Sequence, residues 1–436
     1  MTSESFMDLL QLPVDILINI FKKLKISELL NVMITCKALK NLIVNDNTIW
    51  RSVCRSRLIL HRSNSHEAKL SWYHHCRISH NWCSGYYRSK VLIHQYTNYM
   101  PWVVFHNSEV LLLSVGSELY CYPKDKKGLP CTRERLWKFD VPKIVRHDVR
   151  TNDISRFIIK DKWIACGNRD GCVAVYKFNE IYRKPKLQCH IVNCHQNGQV
   201  EVTAVELIKT NSKTVVISGS NGDSHLKLWD LSSDETDHHN IWIFKLTCLI
   251  SDAADIFLSE NTGVRCLAMN NEMNKLAIGL NGNSKPLLLD VNTGQLVTSD
   301  LTKDAKQAVR DTRWHGVNNI AYVTHAGTLR LMDTRSHQLI YGVQDPFQST
   351  LYCVKTDGEN AIMVGSAEYS RCVLFDSRNS KNHVQMYFTQ KKTSPVYSLD
   401  FDTTKLITAV DKGMAVLNFN VNTASLEPRD YSHVFH

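Results

Sequence analysis

The chain has 436 residues, 43% of them hydrophobic and 22% charged, which fits a folded protein with more than one core. No run approaches the eighteen apolar residues of a membrane span, and Glu4 and Asp8 precede the first apolar stretch where a signal peptide would be basic, so a cytoplasmic or nuclear protein with no membrane association is expected. The net charge of +10 is concentrated in residues 51–90, where Arg51, Arg55, Arg57, Arg62, Lys69, Arg77, Arg88 and Lys90 face only Glu67. Residues 1–50 are balanced and the stretch from 91 is nearly neutral, which argues against broad nucleic-acid binding.

Residues 12–50 read LPVDILINIFKKLKISELLNVMITCKALKNLIVNDNTIW. Leu17, Ile20, Phe21 and Leu24 fall at i, i+3, i+4 and i+7, which predicts a helix starting just after Pro13. Ser27 is placed to cap a second helix with Leu29, Leu30, Met33 and Ile34. A third carries Leu39, Leu42 and Ile43, and Asp46-Asn47 turns the chain towards Trp50. A segment of about forty residues buries too little apolar surface to stand alone, so its leftover face needs a cover: a partner, or the rest of this chain.

The Leu12-Pro13 start, Ile20-Phe21, Leu24, Leu29-Leu30, Cys36 and Trp50 resemble the F-box family. The resemblance implies an F-box over residues 1–55 that binds a Skp-type adaptor, and through it a cullin–RING ligase core, by way of Leu12, Pro13, Leu17, Ile20, Phe21, Leu24, Leu29, Leu30, Cys36, Leu39 and Trp50. In that case the catalytic parts of ubiquitin transfer belong to other proteins.

Residues 56–90 read as a basic, aromatic helical linker. Trp72, Tyr73, Trp82, Tyr86 and Tyr87 predict a helix whose aromatic side packs against its neighbours and couples the domains rigidly. Around this stretch lie Cys54, His61, His66, His74, His75, Cys76, His80 and Cys83, but their spacing does not give the two close ligand pairs of a structural zinc site, so no metal is expected. The fourteen cysteines have no regular spacing and include no Cys-x-x-Cys pair; reduced thiols, mostly buried, are expected.

From residue 91 the texture changes to short β-type runs divided by Gly, Asn and Asp turns. A strand, a tight turn and a second strand ending in a bulky residue recur, as in VVISGSNGDSHLKLWD and AIMVGSAEYSRCVLFD. The bulky positions are Tyr122, Tyr176, Trp229, Leu289, Met332, Phe375 and, for the last copy, Asn418, with three successive steps of 43 residues. The longer early steps point to insertions at Ser232 to Asn240 and Ser251 to Glu260. The period and the Trp-Asp ending resemble the WD-repeat family and imply an all-β seven-bladed propeller over 91–436, preceded by the small all-α F-box and its helical linker. The strand-like run Val91 to Tyr96 stands where such a propeller takes its closing strand, which would set the linker beside the seventh blade.

The third repeat carries the full polar set of the family in His195, Ser218, Asp223 and Trp229, implied to hydrogen-bond within one blade. The second repeat keeps Asp170 but has Tyr176 for Trp, and the fourth offers no obvious His. His, Ser and Asp are also the residue types of a nucleophilic triad, but the repeat context favours the structural role. At the expected mouth, Arg169 in a turn, Arg265 and Arg310 at starts of first strands, and Arg371 beside a turn are candidates for substrate binding, with phosphorylated segments among the ligands considered.

The combination resembles the F-box/WD-repeat proteins over nearly the whole chain. Ser349 to Arg378 and the following SPVYSLDFDTTKLITA, with Trp82 and Trp102, resemble the dactylin subgroup. The resemblance implies a non-catalytic substrate receptor of a Skp–cullin–F-box ubiquitin ligase, with no cofactor. A WD-repeat scaffold without ligase association is the alternative. A propeller enzyme would need recurring Asp, Glu or His at equivalent blade positions, and none is evident in the sequence.

Overall fold

The computed structural model describes residues 9–55, 57–60, 70–94, 100–107, 109–126, 128–145, 150–209, 214–231, 254–258, 262–297, 303–388, 394–411 and 413–422. Glu4, Asp8, His61, Arg62, His66, Glu67, Lys69, Tyr96 and the insertion at 232–240 lie outside them. The chain divides into a helical unit of Met1–Leu60, His66–Tyr87 and Phe419–His436, and a strand unit of His61–Ser65 and Arg88–Asn418.

In the helical unit, α1 (Val14–Phe21) starts after Pro13 and α2 (Ile26–Thr35) follows. The N-cap of α2 is Lys25, not Ser27: the Lys25 amide donates to Glu28 Oε2 at 2.7 Å, and Ser27 lies exposed in the first turn. Cys36 Sγ accepts from the Leu39 amide at the start of α3 (Lys37–Asn45). Asp46-Asn47 is more than a turn. Asp46 Oδ1 accepts from the amides of Thr48 (2.8 Å) and Ile49 (3.0 Å) and starts a further helix, α4 (Asn47–Val53), which buries Trp50. Trp50 Nε1 donates to the Ile43 carbonyl at 2.7 Å and so ties α4 to α3.

The expected linker helix is α5 (Trp72–Ser84), which ends on Gly85 at φ 68°, a left-handed position that suits glycine. It belongs to the helical unit. Tyr73 meets Trp50 edge-on at 5.1 Å, and the Trp72 amide donates to Asn47 Oδ1. Cys54 and Cys76 form a disulfide in place of the two thiols expected from composition.

The described residues of the strand unit form seven four-stranded antiparallel blades: 103–140, 154–191, 204–257, 264–296, 303–344, 351–387, and 396–418 completed by Arg88–His94. The closing strand thus begins at Arg88, inside the stretch read as linker, and pairs with Gly413–Asn418. From blade 2 to blade 7 each first strand packs on the next, Val396–Phe401 packs on Val103–His106, and Val110–Val115 packs on Ile154–Lys160, so the ring closes. Blades 4 and 5 also bridge directly, Asn281 opposite Ala308.

Every bulky marker lies on the third strand of its blade, with one correction of register. Leu417 pairs with Leu406 as Phe375 pairs with Ile362, so Leu417, not Asn418, is the seventh marker. The second expected insertion is not all loop, since Ala254–Phe257 is the outer strand of blade 3. Apolar clusters fill the spaces between blades, for example Val323, Leu331, Val354, Val364 and Phe375 between blades 5 and 6. Gly219 and Gly365 on second strands face Val264 and Val396, which open the next blades. A Cβ there would lie 2.5 Å (Gly219) or 2.7 Å (Gly365) from the valine methyl, so the recurring Gly of the motif permits close blade packing.

Candidate functional site

The first candidate surface is on the helical unit. The single stripe expected on α1 divides in two: Leu17 and Phe21 turn inward with Leu29, Leu39 and Trp50 to fill the core, while Ile20 and Leu30 are exposed. Leu12, Leu24 and Cys36 are half-buried against that core, and Pro13 is exposed. A helix packed on its neighbours must spend one face on its own core. Each helix therefore turns an apolar pair outward, Ile16 and Ile20 on α1 and Leu30 and Ile34 on α2, each pair at i, i+4, with Leu10 and Val14 exposed at the N-terminal end. Ile34 keeps 83% of its surface accessible, and sequence reading assigned it no contact.

In blade 3 the polar set is assembled as a chain. His195 Nδ1 donates to Asp223 Oδ2 at 2.9 Å, Ser218 Oγ lies 3.0 Å from His195 Nε2, and Trp229 Nε1 donates to Ser218 Oγ at 3.1 Å. Burial holds the His195 pKa below its ordinary value, which fits a neutral ring that accepts from Ser218. Burial alone would raise the Asp223 carboxyl, but hydrogen bonds from His195 and His225 outweigh it and the net shift is downward. The order is that of a nucleophilic triad, yet Ser218 and His195 have no accessible surface.

Inner strands also carry carboxylates that sequence reading missed. Glu206 and Asp400 hold equivalent positions, opposite Ile217 and Ile407. Each accepts an amide from the next blade, Met269 to Glu206 at 3.2 Å and Phe105 to Asp400 at 2.8 Å. The same carboxylates take the following amides of Leu207 and Phe401, so they staple neighbouring blades. Burial pushes the Glu206 carboxyl above its usual range.

The second candidate surface is the propeller mouth. Arg169, Arg265 and Arg310 line one cavity of about 230 Å³ with Arg156, Tyr352 and Tyr397. Arg310 lies over the Tyr352 ring at 4.8 Å, Tyr352 meets Tyr397 edge-on at 5.6 Å, and Arg265 Nε donates to Asn281 Oδ1 at 2.7 Å. Burial, then the neighbouring Arg310, lowers the pKa of Arg265. Arg371 is not part of this group. It is fully buried, with Nη2 at 2.6 Å from Asp345 Oδ2 and 3.1 Å from Ser366 Oγ, because its strand position points between blades.

Among the described residues no helix is long and apolar enough to cross a membrane, and no group of His, Cys, Asp and Glu is arranged to hold a metal ion. Residues 9–56 match the F-box-like family model. The chain is 24% identical to the mouse F-box/WD repeat-containing protein 4 over 427 residues, covering 94% of this chain and 93% of that one. It is 24% identical to the human protein of the same name over 432 residues, covering 94% and 92%. The chain thus carries an N-terminal F-box-like segment and is similar along nearly its whole length to F-box/WD-repeat proteins.

Proposed function

We propose that this chain is a substrate receptor of a Skp–cullin–F-box ubiquitin ligase, working in the cytoplasm or nucleus and leaving the chemistry to its partners. The observation that carries the reading is the coincidence of the F-box-like match at 9–56 with outward apolar pairs on the same helices. In this reading Ile16, Ile20, Leu30 and Ile34 dock a Skp-type adaptor, and the core residues Leu17, Phe21, Leu29, Leu39 and Trp50 hold those pairs in place. The mouth with Arg169, Arg265 and Arg310 takes hold of a protein substrate. Holding a substrate lysine near a ubiquitin-charged enzyme raises its effective concentration, which is the whole contribution asked of a receptor.

Affinity purification of the full chain from cells with the proteasome blocked tests this reading. Co-purification of a Skp-type adaptor and a cullin, with proteins whose turnover slows when the chain is removed, is expected. Recovery of the chain without adaptor or cullin would leave a WD-repeat scaffold instead.

A further inference from the structure

We propose that the cavity at the propeller mouth binds the free C-terminal carboxylate of a protein chain. This rests on the receptor reading above and specifies what the receptor holds. At about 230 Å³ the cavity is smaller than the roughly 300–1,000 Å³ of pockets for drug-sized ligands, which suits the end of a chain. A second cavity lies along the inner strands, and Trp102 and Arg156 line both. Their side chains stack at 4.1 Å, and Arg156 Nη1 is held 3.3 Å from Asp311 Oδ1. This pinned pair lies where the two cavities meet and narrows the way between them, a place for a peptide to end.

The charges on the remaining walls choose the group that ends there. Arg169, Arg265 and Arg310 come from three different blades and converge on the cavity. The Nε–H of Arg310 is buried and has no hydrogen-bond partner among the described residues. Guanidinium groups match a carboxylate by paired hydrogen bonds. Glu201 also lines the cavity, beside the arginines. A chain terminus offers a carboxylate to the arginines and an amide N–H to Glu201 at one place. An internal phosphoserine carries nearly twice the negative charge of a carboxylate at neutral pH, so Glu201 repels it more strongly.

The test uses the full-length chain with its adaptor and three immobilised random hexapeptide libraries: free C-terminal acids, C-terminal amides, and amides with one internal phosphoserine. The expected result is retention by the free acids at least tenfold above the amides, the scale of losing one or more charge-assisted hydrogen bonds. The Arg265→Glu/Arg310→Glu variant is expected to lose that retention while its circular dichroism and adaptor co-purification stay unchanged. Equal retention by acids and amides, retention by the phosphoserine library alone, or retention by none would overturn the proposal. The acid-against-amide comparison decides it even if the variant does not fold. Failure of the wild-type chain to bring down an adaptor would instead overturn the receptor reading.

Discussion

The ring of Trp82 lies flat on that of Phe419, with centroids 3.5 Å apart and planes 14° from parallel. Beside this stack, buried Asn81 donates to the carbonyls of Phe419 (2.7 Å) and Val421 (3.0 Å). The C-terminal stretch therefore completes the helical unit. Phe419→Ala is expected to destabilise that unit by about 3–5 kcal/mol, the usual cost of emptying a buried aromatic site. Loss of helical circular dichroism at lower denaturant checks it, and an unchanged midpoint would remove the stretch from the unit's core.

Arg371 and Asp345 make a second prediction, because neither side chain reaches solvent. Arg371→Met leaves the Asp345 carboxylate buried without its guanidinium and is expected to cost about 3–5 kcal/mol. The Arg371→Met/Asp345→Asn double variant, which removes the buried charge but keeps an acceptor for the amides of Phe347 and Ser349, should recover most of that loss. Denaturant midpoints of the three chains measure it.

The polar chain of blade 3 gives the strand unit a definite response to acid. His195 has a pKa below 6.5 when folded, so the unfolded chain takes up its proton first, and stability falls as pH drops below about 6.5 towards the folded value. Asp223, whose folded pKa is also lowered, adds a loss in the same direction at still lower pH, below its ordinary 3.8. His195→Gln is expected to be less stable at neutral pH and to show a shallower decline from pH 6.5 downwards. Melting temperatures across pH 5–8 separate the two chains, and parallel slopes would contradict the assignment.

The propeller was legible because its signals are local. Strand, turn and strand recur within sixteen residues, and the third-strand markers Tyr122, Tyr176, Leu289, Met332 and Phe375 are buried, with Trp229 partly so. The last marker slipped by one residue because Leu417-Asn418 gives no Trp-Asp ending to fix it. What sequence reading missed depends on contacts far apart in the chain. The closeness of Cys54 to Cys76, the pairing of Arg371 with Asp345, and the return of Phe419 to Trp82 leave no periodic trace. The stripe on α1 was read as one face because a helical pattern shows which residues are apolar, but not which of two neighbours each one meets.

The outward apolar pairs of α1 and α2 carry the central claim, and one measurement reaches it directly. Purified full-length chain carrying Leu30→Glu/Ile34→Glu is titrated with a Skp-type adaptor by calorimetry, next to the unaltered chain. The unaltered chain is expected to bind, and the variant to lose at least a hundredfold in affinity with its circular dichroism intact, since two charges would be buried without partners. Equal binding by both chains, or no binding by either, would contradict the account.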